Sequence, residues 1–390
     1  MKKQIVFIEY SPMIHTLKMA KGLRDTGKYE TVLISFNKVD KKLFEIGYDK
    51  IINLEISQQL SFKNLFFLIQ KMFSKEWTKF FAEIKSLHPY IVQITTLSLF
   101  CFLFSFLIKK KVPKIYYAYD IAAFYNFGKF NIRKYFEKKI EKYYFKNMDG
   151  ILHKGPREEL TLLDYSVNAP DLALLPGCLE DWTHVPKKKN MKEIHIAYAG
   201  SPFITPWMVS FVEIIQKITA QGIHFHTYDK CSTESENKLF LKEEKNNPYF
   251  HYHDKTNPKK LNEEISNYHY GIIPQFFYPS LIDSRWIKTT MSNKMFNYLE
   301  AGLPVIIGKQ GKVMVDVTNE HDLGICIDYE DISNLKKILN RLNYEKLQKN
   351  VKIAQKKLSI SNITKELENF YGKVVEKNKF RFNNINKNVS

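Results

Sequence analysis

The stretch Tyr268 to Lys309, YHYGIIPQFFYPSLIDSRWIKTTMSNKMFNYLEAGLPVIIGK, decides how this chain is read. It runs from an apolar strand (Gly271 to Pro274) through a polar, aromatic loop into a helix over Met291 to Ala301. A tight Ala301-Gly302-Leu303-Pro304 turn then leads into a second apolar strand, Pro304 to Gly308. Strand, helix and strand joined this way predict a parallel βαβ unit. Ser292 is the expected N-cap of the helix. A capped helix start at the carboxyl end of a strand offers free N–H groups and a positive dipole to an anion. Lys294 in the first turn adds a charge, Arg285 and Lys288 lie in the approach, and Asn297 falls near the same face one turn on. On the residues alone, an ordinary βαβ unit with surface lysines fits the same segment.

The same rhythm extends in both directions. Near-continuous apolar runs at Gln4–Tyr10, Thr31–Phe36, Lys50–Ile56, Ile91–Thr96, Lys114–Asp120, Ile151–His153 and Leu172–Leu175 read as buried parallel strands. Helices are expected between them, including Met13–Thr26, Ser61–Leu87 and Phe130–Lys146. The polar, basic stretch Glu180 to Lys192 marks a boundary. Beyond it the alternation restarts with strands at Glu193–Ala199, His224–Tyr228, Tyr249–His253, Gly271–Pro274, Pro304–Gly308 and Gly324–Asp328. The expectation is an α/β protein of two Rossmann-like lobes with a deep interlobe cleft: residues 1–180, residues 193–360, a helix at 361–376 that packs back on the first lobe, and a disordered tail at 377–390.

Composition narrows the function classes. The chain has 390 residues with 59 Lys+Arg against 41 Asp+Glu, a net charge of +18. Its 15 glycines are about half the usual ~7%, and no GxGxxG follows the first strand. Gly150 to Gly155 (GILHKG) has Walker spacing, but Pro156-Arg157 stand where Lys and Ser/Thr are required. The four scattered cysteines form no CxxC pair, so zinc ribbons and disulfide frameworks are not expected and a reducing cytoplasm suits the chain. Leu97 to Ile108 is apolar for 12 residues, short of the ~20 needed to span a bilayer. It reads as a buried helix, with an interfacial helix as the alternative. The basic, aromatic stretch Phe127 to Lys146 reads as a core helix with a solvated Lys face, or as a surface resting on an anionic membrane. The pairs His224/His226 and His251/His253 each point to one face of a strand; exposed histidines are the plainer reading and a metal site the other. Trp207 and Phe203 fit core packing or stacking on a base. Charge alone points equally to nucleic acid, but no nucleic-acid recognition motif is present.

SNKMFNYLEAGLPVIIG (Ser292 to Gly308) resembles the S-x-K-x-[FY]-E-Y-L-A-x-G-x-P-V-I signature of GT-B nucleotide-sugar glycosyltransferases, group 1 (family-4-like). YHYGIIP (Tyr268 to Pro274), AYAGS (Ala197 to Ser201), Arg133 to Gly155 and Lys114 to Asp120 are similar to further pieces of that family, in the family's order. The resemblance implies an acceptor-binding first lobe and a nucleotide-sugar-binding second lobe. The implied task is transfer of a sugar to a glycan or lipid-linked acceptor in bacterial surface polysaccharide synthesis, retaining and metal-independent. No cofactor is expected and no nucleic-acid partner. The implied place is the cytoplasm, with peripheral contact to the inner face of an anionic membrane. Donor-binding residues would be Gly200, Ser201, Arg285, Lys288, Ser292, Lys294, Asn297 and Glu300, and Asp120 would serve the acceptor side; His15 is added by its position just past the first strand, at the expected cleft mouth, where it would touch the acceptor. The departures matter. Asn297 stands at the family's ribose-binding Glu, which leaves Glu300 either as a substitute or as a surface residue. Tyr119-Asp120 replaces a His-Asp pair, so a His contact to the transferred sugar is lost there. These departures keep a second reading open, a GT-B-shaped scaffold subunit without catalysis.

Overall fold

A computed structural model describes residues 2–55, 74–108, 111–124, 132–155, 157–187, 189–202, 204–231 and 233–387. The N-terminal part of the helix expected over Ser61–Leu87, residues 127–131 and Phe203 lie outside them. The chain divides into two compact units: residues 1–123, 130–175 and 361–390 form one, and residues 124–129 and 176–360 the other.

The first unit is built on β1 (Lys3–Glu9), α1 (Ile14–Asp25), β2 (Tyr29–Ser35), α2 (Lys41–Phe44), β3 (Lys50–Asn53), α3 (Lys75–Lys85), β4 (Pro89–Ile94), α4 (Leu99–Leu107), β5 (Lys114–Ala118), α5 (Ile132–Asn147), β6 (Gly150–His153) and β7 (Asp171–Ala173). The sheet order is β3-β2-β1-β4-β5-β6-β7, and all pairings are parallel. Ile5, Val6, Phe7 and Ile8 are wholly buried, as expected of a strand covered on both faces. Pairing in register, such as Val6 with Val32, keeps these apolar runs level across the sheet.

The second unit continues with β8 (His195–Tyr198), α6 (Phe211–Thr219), β9 (His224–Tyr228), α7 (Glu234–Asn246), β10 (Phe250–His253), α8 (Pro258–Ile265), β11 (Tyr270–Ile273), α9 (Ser284–Thr289), α10 (Asn293–Glu300), β12 (Val305–Gly308), α11 (Lys312–Glu320), β13 (Gly324–Ile327), α12 (Leu335–Leu339) and α13 (Tyr344–Lys357). Its parallel sheet runs β10-β9-β8-β11-β12-β13. One face is an apolar core of Ile196, Phe225, Phe250, Ile272 and Ile306 with the helices around them. In both sheets chain order reverses beside the first strand, at β1/β4 and at β8/β11. Ligands of doubly wound sheets bind at such switch points, beyond the carboxyl ends of the strands.

Three expectations change. The second unit begins at Pro176, upstream of the basic stretch Glu180 to Lys192. The tail read as disordered from residue 377 instead continues a helix, α14 (Ile360–Lys387). Buried Val374, Val375 and Asn378 hold it, with Lys377 Nζ donating to the Asn168 carbonyl at 3.2 Å and Arg381 3.7 Å from Asp149. Helix α4 is only half buried: Cys101 and Phe104 face inward, while Leu99, Leu103 and Phe106 are exposed. No helix among the described residues is long and apolar enough to cross a membrane.

Candidate functional site

In the second unit, the switch point is organised by Tyr298 on α10. Its hydroxyl donates to the Ile272 carbonyl at 2.8 Å and accepts from the Ala199 N–H at 3.0 Å. One side chain therefore ties α10 to β11 and to the end of β8. Its ring lies over Gly271, where a Cβ would come within 2.1 Å of it, so only glycine fits there. After α10, Gly302 takes φ +77°, the left-handed conformation that lets the chain turn sharply into β12.

This clamp fixes the start of α10 beside Gly200. Ser292 caps the helix, its Oγ accepting from the Lys294 N–H at 3.4 Å. Lys294 is half-buried and lies against Gly200; a Cβ on Gly200 would sit 2.6 Å from Lys294 Cε and 3.2 Å from Nζ. The missing side chain at Gly200 is thus the space the lysine occupies. Its Nζ lies 5.0 Å from the centre of the Tyr198 ring and has no ion-pair or hydrogen-bond partner among the described residues. Burial without a counter-charge lowers its ammonium to about 8. Three buried oxygens of the second unit are likewise without partners among the described residues: Asn293 Oδ1 at the first position of α10, Gln275 Oε1 just past β11, and Thr205 Oγ1 in the loop after β8. Buried polar atoms are ordinarily satisfied, so such atoms at strand ends suit a polar ligand.

The other residues proposed for this site divide. Asn297 is half-buried, one turn along α10 from Lys294. Ser201 follows Gly200, its Oγ donating to the Pro202 carbonyl at 3.2 Å. Arg285 is held by its own neighbour: its guanidinium pairs with Asp283, the N-cap of α9, at 2.8 Å. Lys288 is exposed in the last turn of α9. Glu300 is corrected outright. It is wholly buried, one oxygen accepting from the Leu179 N–H at 2.6 Å and the other from Asn262 Nδ2 at 2.8 Å. It braces the segment that enters the second unit and cannot take over from Asn297. Trp207 packs on a small apolar cluster of Met208, Phe277, Ile282 and Ile287.

In the first unit, Asp120 lies just past β5 and accepts from Lys154 Nζ at 3.0 Å. Lys154 sits just past β6, is almost fully buried, and stands 3.3 Å over the Tyr119 ring. Burial lowers its ammonium; the Asp120 carboxylate opposes that. His15 stacks flat on Tyr119, ring centres 3.8 Å apart. It is 2% exposed, with both ring nitrogens unpartnered among the described residues. Burial, then Lys154 and Lys18, hold it well below the usual histidine range, so it is a neutral imidazole. Glu9, at the end of β1, is wholly buried and pushed up to about 7 by that burial, although the Met13 N–H donates to it at 2.9 Å.

Sequence reading missed Tyr298, Asn293 and Lys154. Lys154 lies inside the GILHKG stretch that fails as a phosphate loop; the one available signal is its place directly after a strand. The histidine pairs are not exposed singly. They form a half-buried ladder with His195 and His269 on the sheet face opposite the apolar core. Among the described residues no group of three or more His, Cys, Asp or Glu could hold a metal.

Residues 209–369 match the family model described as glucosyltransferase 3-like, C-terminal domain. No curated protein matches the chain by sequence. Among solved structures, sucrose-phosphate synthase from Thermosynechococcus elongatus is similar over 96% of this chain and 100% of its own, at TM-score 0.67 and 11% identity. A TarM variant from S. aureus, in complex with UDP, alpha-GlcNAc-glycerol and Fondaparinux, is similar over 95% of this chain and 99% of its own, at TM-score 0.65 and 11% identity. The lipopolysaccharide outer core galactosyltransferase WaaB is similar over 94% and 98%, at TM-score 0.55 and 13% identity. The two parallel α/β units are the GT-B fold of these structures, and residues 209–369 are similar to a glucosyltransferase domain.

Proposed function

We propose that this chain transfers a sugar from a nucleotide-sugar bound beyond β8 and β11 to a glycan or lipid-linked acceptor bound by the first unit. The observation that carries the donor site is Lys294: a half-buried cation without a counter-charge, in the first turn of α10, with room made for it by Gly200. A diphosphate supplies the missing charge and meets the free N–H groups of the helix start. In the transfer, the bond from the anomeric carbon to the diphosphate oxygen breaks and its electron pair leaves with the nucleotide. Lys294 and the helix dipole stabilise that charge in a site of low polarity, without a metal in this scheme. Asn297 faces the ribose as a neutral donor and acceptor.

The acceptor hydroxyl oxygen forms the new bond to the anomeric carbon. In a same-face, retaining reaction its proton passes to the leaving phosphate oxygen, and Asp120, oriented by Lys154, anchors the acceptor. The biological setting we propose is bacterial surface polysaccharide synthesis in the cytoplasm, at the inner face of the membrane. A match to a galactosyltransferase of lipopolysaccharide outer core supports that setting. A thermal-shift screen against UDP, GDP, CMP and dTDP tests the donor site: one nucleotide is expected to raise the melting temperature. Lys294→Ala should abolish that rise; an unchanged rise places the phosphate elsewhere. Product analysis of the anomeric configuration with the donor so identified decides retention.

A further inference from the structure

Two neighbouring helices of the first unit turn apolar side chains outward. On α4, Leu99, Leu103 and Phe106 follow at i, i+4 and i+7, so they share one face, and each is a little over half exposed. The helix carries no charged residue. On α5, Ile132, Tyr135, Phe136 and Tyr143 make a second outward stripe, opposite the buried Glu141, Tyr144 and Phe145. The stripes join: the Tyr143 ring lies 5.2 Å from Phe102 and 5.8 Å from Phe106. Isolated exposed apolar residues are ordinary, but a continuous patch over two helices marks a docking surface.

Charge decides what docks. Lys138, Lys142 and Lys146 recur every fourth residue along one flank of the α5 stripe, and Arg133, Lys134 and Lys139 stand on the same helix. Of its two acids, Glu137 pairs with Arg133 at 2.8 Å. Glu141 is wholly buried, accepting from the Ala122 and Ala123 N–H groups at 2.8 Å. An apolar face bordered by cations, with tyrosine at its edge, matches the boundary between acyl chains and anionic headgroups. A second copy of the chain is disfavoured, because a two-fold contact would set these lysines against themselves.

We infer that the joined outer faces of α4 and α5 seat the first unit on an anionic lipid bilayer, with Leu99, Leu103, Phe106 and Phe136 entering the headgroup–acyl boundary and the α5 lysines meeting lipid phosphates. The inference takes its setting from the proposed function and supplies the surface; it does not depend on which donor binds. The test is sedimentation of the full chain with vesicles of phosphatidylcholine alone or mixed with phosphatidylglycerol. Binding is expected only to the mixed vesicles, weakening about tenfold as salt rises from low to physiological strength. Leu103→Ser with Phe106→Ser should lower affinity about tenfold at every salt concentration. Lys138→Gln with Lys142→Gln should weaken binding chiefly at low salt and flatten the salt dependence. Circular dichroism melting, unchanged in these surface variants, verifies folding. Equal binding to both vesicles, variants that bind like the parent, or concentration-dependent dimers abolished by Phe106→Ser would each overturn the inference. A missing nucleotide shift with intact vesicle binding would instead refute the donor site alone.

Discussion

Lys294 stands at the unfavourable end of a helix dipole, half-buried and without a counter-ion. Its folded pKa of about 8 lies below the ~10.4 of an unfolded chain. The cost is therefore present in full below pH 8 and disappears as the folded ammonium deprotonates above it. Lys294→Met should stabilise the unliganded protein by about 1–3 kcal/mol at neutral pH while removing nucleotide binding. A variant that loses both stability and binding would make the lysine structural. Phosphate raises the lysine pKa, so nucleotide affinity in the parent should fall above about pH 8, by up to tenfold per unit. Titration calorimetry across pH 7 to 9.5 measures it, and a flat profile excludes Lys294 from the phosphate site. Gly200→Ala tests the same space from the other side, because its Cβ would meet Lys294 Cε at 2.6 Å. Nucleotide affinity should drop about tenfold or more with little loss of melting temperature. Glu300→Ala should do the reverse. It strips partners from the buried Leu179 N–H and Asn262 amide, costs about 2–4 kcal/mol in urea unfolding, and leaves nucleotide affinity of the folded protein unchanged.

At the scale of elements, the histidine ladder limits how many protons the second unit can hold. His226 uses both ring nitrogens, Nε2 toward His195 Nδ1 and Nδ1 toward His253 Nε2, each at 3.0 Å. One proton fills each of these bonds and one each of the two end nitrogens, so three rings carry at most one positive charge. His269 accepts the His195 N–H at Nδ1 and donates from Nε2 to the Asn190 carbonyl, so it stays neutral. These four rings thus hold one charge where an unfolded chain holds four. Burial, with repulsion between neighbouring rings, acts the same way, lowering His195 to about 4 and pushing His226 and His251 down; burial pushes His253 down, and Glu264, Glu244 and Asp254 partly offset this at the β10 edge. With folded values below ~6.5, the unfolded state binds more protons. Stability should be level above about pH 6.5 and fall as pH drops toward 4, by up to ~4 kcal/mol per unit where it is steepest. Urea unfolding at pH 7.5, 6.0 and 5.0 measures it; a level profile would sink the proton count. The ladder also shows what was legible. Near-continuous apolar runs marked the strands of the first unit, because a sheet covered on both faces needs them. The ladder was hidden, since period-2 spacing places His224 and His226 on one face without saying which strand lies alongside. Lys154 and Asp120 are 34 residues apart and meet only because β5 and β6 pair. Arg285 looked available because its own N-cap, Asp283, reads as a loop residue until α9 is seen.

At the scale of the whole molecule, the two proposals would put part of the net charge of +18 to use: a single cation at the proposed diphosphate, and a row of lysines on α5. The scarcity of glycine fits a phosphate site made by a helix start, with Gly200 spent on room for a side chain rather than on a phosphate loop. The last helix carries a separate consequence. From Ser361 onward α14 belongs to the first unit, although more than 180 residues of the second unit precede it. Leu367, Phe370, Tyr371 and Val374 are buried, and the Tyr371 hydroxyl donates to buried Gln93 on β4 at 2.7 Å. Gly150 at the start of β6 admits the helix closely; a Cβ there would lie 2.7 Å from Val374. The first unit is thus completed only when the chain's end returns to it. Ending the chain after Ser359 would expose the apolar surface these four side chains cover and leave Gln93 buried without its partner. Each large side chain is worth about 1.5–3 kcal/mol of burial, so the loss approaches the whole stability of a domain. The truncated chain should lose the cooperative unfolding of the first unit while the second unit keeps its nucleotide-induced thermal shift. Hydrogen exchange read separately over β1–β6 and β8–β13 distinguishes the two. Equal protection of β1–β6 with and without α14 would show that the first unit folds without it.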